Sequence, residues 1–244
     1  MIRSPLSYPH DDRHDLLLQI VRSIPASVDK ICAPFFTGGT IELNFAAKVP
    51  VTGYCRYREL YDFWNCVLFD AWRVSKMAGD FLPIENEHLF SSMQKMLRKP
   101  HDDFLRAALF YVLNRCAKGG ALSHGSMEEG HPRFNRMGII HLEKFSSPNL
   151  KVLEGDFEKA IEDNPDTFLY CSPPKFEKAR LLSAPLSVED AQIDHNRLAE
   201  LLKARDNWML VYDNCPDVLE LYKDYDIKAL TVSGDEKGAV LIVG

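Results

Sequence analysis

Apolar residues change period along the chain, and the changes mark its elements. Leu16-Leu-Leu-Gln-Ile-Val-Arg-Ser-Ile24 spaces its apolar positions as a short amphipathic helix, with acidic residues near its start. Lys30–Leu43 reads as strand, glycine turn and helix, and Val49–Arg56 as a second strand. From Tyr57 to about Arg133 the period becomes helical. Leu60, Phe63, Trp64, Val67, Leu68, Ala71 and Trp72 recur at three- and four-residue intervals, and Leu89–Leu97 and Phe104–Leu113 repeat the pattern. Met137–Phe145 is a further helix and Leu150–Asp156 a strand with an acidic end. Thr167–Cys171, a β-branched and aromatic run between Asn164-Pro165-Asp166 and Pro173-Pro174, is a buried strand that ends in a rigid loop. Ser187–Lys203 and Cys215–Tyr225 read as helices, and Trp208–Tyr212, Ile227–Val232 and Ala239–Val243 as strands. Strands alternating with helices predict an α/β fold.

Composition narrows this picture. With 244 residues, 46% of them hydrophobic, the chain is long enough for one domain, or one with an insertion. No run of 18 apolar residues exists, and Met1–Pro9 lacks the apolar core of a signal peptide. The expected setting is therefore cytoplasmic, inside a cell and not at a membrane. Six cysteines without a C-x-x-C pair are expected to be reduced, mostly buried thiols. The net charge of −6 argues against binding nucleic acid by bulk charge alone, although a local basic face remains compatible with it.

Candidate chemistry gathers where strands end. Thr167–Phe176 reads T-F-L-Y-C-S-P-P-K-F, and a Ser-Pro-Pro turn at a strand end puts fixed backbone where open α/β sheets bind ligands. Pro34-Phe35-Phe36-Thr37-Gly38-Gly39-Thr40, then Ile41-Glu42-Leu43, is a glycine turn that lets a nucleotide-like ligand approach the backbone. Asp156-Phe157 closes another strand and also suits a helix N-cap. His10, Asp11, Asp12 and His14 are adjacent but lack a second cluster, so no metal site is expected. A Ser172–His195–acid triad can be written down, yet Ser172 sits in nothing like a Gly-x-Ser-x-Gly elbow.

These motifs resemble those of the Dam-type family, which methylates the exocyclic nitrogen of adenine in DNA. Ser172, Pro173, Pro174, Lys175 and Phe176 resemble its D-P-P-Y or S-P-P-Y loop, which holds the target amino group and stacks an aromatic on the flipped base. Phe35, Phe36, Gly38 and Gly39 resemble its cofactor loop, Tyr8 and Pro9 its opening Tyr-Pro-Gly-Gly-Lys, and Asp156 and Phe157 its Asp-Phe pair. Asn114 and Arg115 resemble its Asn-Arg-x-Ser-Phe-x-Gly segment near the DNA. The resemblance covers nearly the whole chain. It implies a Rossmann-like S-adenosylmethionine-dependent methyltransferase core over 1–65 and 136–244, with an inserted helical target-recognition region over 66–135. That insertion carries nine Lys or Arg against eight Asp or Glu. Its basic positions Lys95, Arg98, Lys99, Arg106, Arg115 and Lys118 are the candidate nucleic-acid contacts.

The departures fall in the pockets. Asp12 stands where the family has Lys, Thr37 where it has the first loop Gly, Cys55 where it has the ribose-binding Asp, and Lys175 where it has the stacking aromatic. A thiol is a poor acceptor, a lysine has no π face, and a β-branched Thr37 is costly if the backbone there needs φ > 0. The expectation is a pseudo-methyltransferase: a Dam-like fold kept as a binding or structural module, with no cofactor expected. Its partners would be DNA, an active methyltransferase subunit, or further copies in an assembly such as a virus particle, since phages commonly carry the family. The alternative is an active methyltransferase for adenine, or for the cytosine amino group. There S-adenosylmethionine is the cofactor, Ser172 and the Pro173 carbonyl orient the amino nitrogen, and Phe176 stacks in place of Lys175. A third reading is a sensor that binds cofactor without transfer.

Overall fold

In the computed structural model, residues 1–6, 16–84, 86–99, 101–118, 125–128, 133–174, 176, 193–230 and 238–244 are described. Tyr8, Pro9, His10, Asp11, Asp12, His14, Lys175 and the stretch 177–192 lie outside them.

Seven strands make one mixed sheet: β1 (Ile31–Ala33), β2 (Val51–Cys55), β3 (Leu150–Glu154), β4 (Phe168–Cys171), β5 (Trp208–Asp213), β6 (Asp226–Leu230) and β7 (Ala239–Val243). Their order is β3-β2-β1-β4-β5-β7-β6. The pairs among β1 to β5 are parallel, and β7 runs antiparallel to both β5 and β6. The order reverses between β1 and β4. In a sheet of this kind the crevice beyond the carboxyl ends of those two strands is where ligands bind.

Period-2 side chains explain why the sheet is covered on both faces. Phe168 and Tyr170 of β4 enter one apolar cluster, whereas Leu169 and Cys171 enter the other. Ile31 and Ala33 likewise face away from Cys32, and Met209 and Val211 away from Trp208, Leu210 and Tyr212. Helices α1 (Leu17–Ser23), α2 (Thr40–Ala46), α3 (Arg58–Gly79), α4 (Glu87–Leu97), α5 (Asp103–Cys116) and α6 (Arg136–Glu143) contribute to the first cluster. The second takes up α7 (Phe157–Glu162), α8 (His195–Lys203) and α9 (Pro216–Leu221).

The helical stretch after β2 shares its core with the sheet. Phe63 stacks on Phe110 at 5.5 Å and meets Trp64 edge-on at 5.4 Å, and these side chains belong to the same cluster as Ile31, Val51 and Tyr170. The caps follow local chemistry: Asn86, Asp102, Asn135, Asp156 and Asp194 each accept a backbone N–H at the head of a helix.

Some expectations shift. The acidic residues expected near the start of α1, Asp11, Asp12 and Asp15, lie outside the described residues. The helix expected to reach Tyr225 ends at Leu221. Trp72 was expected on the buried stripe of α3, but Asp70 leaves helical geometry (φ −152°, ψ 80°) and its carboxylate accepts the Arg73 N–H at 2.9 Å, so the helix restarts there. The restart turns Trp72 outward, at 56% exposed, beside Phe69 at 84%. All six cysteines are free and buried, as expected.

Candidate functional site

The glycine turn after β1 is held by its neighbours on the sheet. Gly39 takes a left-handed conformation (φ 75°) and caps α2, and a Cβ there would meet the rings of Phe36 and Trp64 at 3.1 Å. The Phe36 N–H donates to the Tyr54 carbonyl at 3.1 Å, and the Trp64 indole donates to the Thr37 carbonyl at 2.9 Å. Phe36 is 1% exposed, and its ring lies over Gly53, where a Cβ would approach to 2.5 Å. Its ring therefore anchors the turn from below while Phe35 remains half-buried at the surface. Among the described residues Asn207 is the only non-glycine with positive φ, so Thr37 carries none of the backbone strain that would have weighed against it.

At the end of β2, Cys55 is fully buried and its thiol donates to the Phe36 carbonyl at 3.4 Å. Burial pushes this thiol well above its ordinary pKa, and the nearby Glu42 carboxylate adds to the shift. The side chain is thus a neutral donor turned toward the turn. It is not an acceptor facing the crevice.

Asp156 and Phe157 follow β3. The Asp156 carboxylate accepts the Lys159 N–H at 2.9 Å as the N-cap of α7. Phe157 is buried and stacks on Phe35 at 5.5 Å with a 20° interplanar angle, which joins the ends of β1 and β3.

The Ser-Pro-Pro turn leaves β4 across the reversal point from the glycine turn. Pro173 is buried, Ser172 and Pro174 half-buried. Phe176 is not loose. Its N–H donates to the Asp213 carboxylate at 3.0 Å, and its ring packs on His195 at 4.7 Å and near Tyr212 at 6.2 Å. The Tyr212 hydroxyl is hydrogen-bonded to Nδ1 of His195, so the described contacts of His195 pair it with a phenol and not with the acid that a triad needs. Burial lowers the pKa of His195, partly opposed by Asp194 and Asp213. Sequence reasoning missed Asp213 because the strand was ended at Tyr212; a carboxylate one residue further on, at the carboxyl end of the strand, was the available signal.

The six basic candidates divide. Lys95, Arg98, Lys99 and Lys118 are exposed. Gln94 donates to the Gly125 carbonyl at 3.0 Å, tying α4 to the segment whose Met127 pairs antiparallel with Ala117 and whose Ser126 carbonyl accepts the Lys118 N–H. Arg106 instead lies 2.7 Å from the buried Asp62, whose other oxygen accepts from Arg58 at 2.9 Å. Arg115 is half-buried and donates to the Arg133 carbonyl at 2.8 Å. Both are fastened inside the helical layer.

A family model for D12 class N6 adenine-specific DNA methyltransferases matches residues 13–233. The chain belongs to this family. No curated protein matches it. The seven-strand sheet agrees with the S-adenosylmethionine-dependent methyltransferase fold that membership entails. The residues fit that cofactor only in part: a two-glycine turn follows β1, with Gly39 packed against Phe36 and Trp64, but the end of β2 offers no oxygen acceptor from Cys55. Among the described residues no three His, Cys, Asp or Glu side chains group to hold a metal, and no helix is long and apolar enough to cross a membrane.

Proposed function

We propose that the chain is a Dam-like DNA methyltransferase homologue impaired in methyl transfer, acting as a binding or structural module. The carrying observation is the Cys55 thiol, whose hydrogen is committed to the Phe36 carbonyl inside the core. Where a ribose hydroxyl needs an acceptor, this side chain is buried and donates, and the loss of one such hydrogen bond costs about 1–3 kcal/mol. The replacement of the family's Lys by Asp12 and of its stacking aromatic by Lys175 points the same way.

DNA is the partner that the family suggests, and the exposed Lys95, Arg98, Lys99 and Lys118 are the residues that would meet phosphate. An active methyltransferase subunit and a self-assembly are the other partners this reading admits. The test is isothermal titration of purified protein with S-adenosylmethionine, beside a sinefungin control. No heat from a folded sample supports the reading, and micromolar binding overturns it.

A second reading, an active amino-group DNA methyltransferase, is favoured by the place of Ser172-Pro173-Pro174 opposite the glycine turn. In it, Ser172 and the Pro173 carbonyl accept from the target amino group and hold it in line for transfer. Methylation of adenine- or cytosine-containing duplexes by the purified protein tests it directly.

A further inference from the structure

β4 and β5 end at the same edge of the sheet, and the pairing of Cys171 with Leu210 sets Asp213 level with Pro174, beyond the last paired residue. A chain leaving β4 through Ser172-Pro173-Pro174 therefore passes the Asp213 carboxylate. Phe176 is caught there from three sides. Its N–H donates to Asp213 at 3.0 Å, its ring packs on His195 at 4.7 Å, and Tyr212 lies edge-on at 6.2 Å while its hydroxyl bonds His195 Nδ1 and orients that ring. His195 is itself placed by the first turn of α8, which Asp194 caps. Pro173, Pro174 and Lys175 separate Ser172 from this anchor, and the two prolines each fix their own φ near −65°, which shortens the list of free torsions between the fixed point and the turn.

We propose that Asp213, His195 and Tyr212 are positioning residues that set the Ser172-Pro173-Pro174 turn through Phe176. Phe176 is then the latch of the turn and not a face for a stacked base. An amino-bearing ring entering this site is met by Ser172 and the Pro173 carbonyl, with no aromatic contributed by Phe176. The latch is compatible with either functional reading above, and under the active one it replaces the expectation that Phe176 stacks on the base.

Amide hydrogen exchange on the full chain, read by NMR, tests it. The Phe176 amide is expected to exchange slowly, and Asp213→Ala to speed it about tenfold, the effect of losing one hydrogen bond to a charged group. Asp213→Asn keeps an acceptor oxygen and is expected to restore protection, which a merely structural loss of charge would not do. His195→Ala should loosen Phe176 and Ser172 together, and His195→Phe, which returns a ring, should recover both. Protection at Met209 and Leu210 reports that β5 remains folded. Equal Phe176 exchange in the wild type and Asp213→Ala overturns the proposal, as does failure of Asp213→Asn to rescue. If Asp213→Ala loses β5 protection, Tyr212→Phe decides: faster exchange at Phe176 with β5 intact supports the latch, and unchanged exchange overturns it.

Discussion

The Cys55 thiol donates to the Phe36 carbonyl across 3.4 Å, so the end of β2 fastens the glycine turn instead of facing the crevice. Cys55→Asp would set a carboxylate against that carbonyl in a fully buried position, near Glu42. An unpaired buried charge costs on the order of 3 kcal/mol or more, whereas Cys55→Ser keeps a donor and should stay within about 2 kcal/mol of the wild type. Urea unfolding of the two variants makes the comparison. A stable Cys55→Asp protein would mean that the side chain can turn outward and would weaken the case for impairment.

Asp62 is 3% exposed and joins α3 to α5 through Arg106 at 2.7 Å, an ion pair without the straight geometry of a hydrogen bond. Asp62→Ala removes the carboxylate shared by Arg58 and Arg106 but leaves Arg106 on Asp103 and Arg58 on Glu154, so it should cost about 1–3 kcal/mol. Arg106→Ala should likewise lower the melting temperature while leaving the salt dependence of any DNA binding unchanged. Lys95→Ala and Lys99→Ala on the exposed face should do the reverse. Fluorescence anisotropy with a labelled duplex at several salt concentrations, beside thermal melts, separates the two groups.

Gly39 combines a left-handed backbone with close rings. Gly39→Ala carries a conformational cost of about 1–2 kcal/mol and crowds Phe36 and Trp64 at 3.1 Å. We expect a destabilisation of about 2–3 kcal/mol. At Gly53 the new Cβ would sit 2.5 Å from the Phe36 ring without any backbone strain, so Gly53→Ala should act by displacing that ring. Near-UV circular dichroism, which reports the packing of Phe36 and Trp64, should change in both variants.

His195 is held below its ordinary value of 6.5 chiefly by burial. The unfolded chain therefore takes up this proton first as the pH falls. The folded state loses stability from about pH 6.5 down to the lowered folded value, and the penalty is absent above pH 7. Melting temperatures of the wild type should drop between pH 7 and pH 5 by more than those of His195→Phe, which keeps the ring packing without the titration. Parallel curves for the two proteins would contradict this.

How much of this was legible in the sequence follows from the range of the forces involved. Apolar period and turn chemistry act locally, and they sufficed for the buried strand at Phe168–Cys171, the glycine turn, the Asp156 cap and the closing strand Ala239–Val243. The exposed side of α4 was legible too, because Phe90, Met93 and Leu97 face inward at helical spacing and leave Lys95 outside.

The pockets were decided by contacts between residues far apart in the chain. Nothing in the local sequence says that Cys55 will spend its hydrogen on Phe36, that Arg106 will turn to Asp62, or that Phe176 will be caught by Asp213 and His195. Asp70 breaks α3 by capping the next turn, a choice between two local hydrogen-bond schemes that period alone does not settle. The sequence by itself determined which residues are apolar, where strands and helices alternate, and that the chain follows the methyltransferase family. Only the tertiary structure decided which polar side chains face the crevice and which are consumed within the core, because a hydrogen bond or ion pair is made with whichever partner the packed sheet brings within about 3 Å.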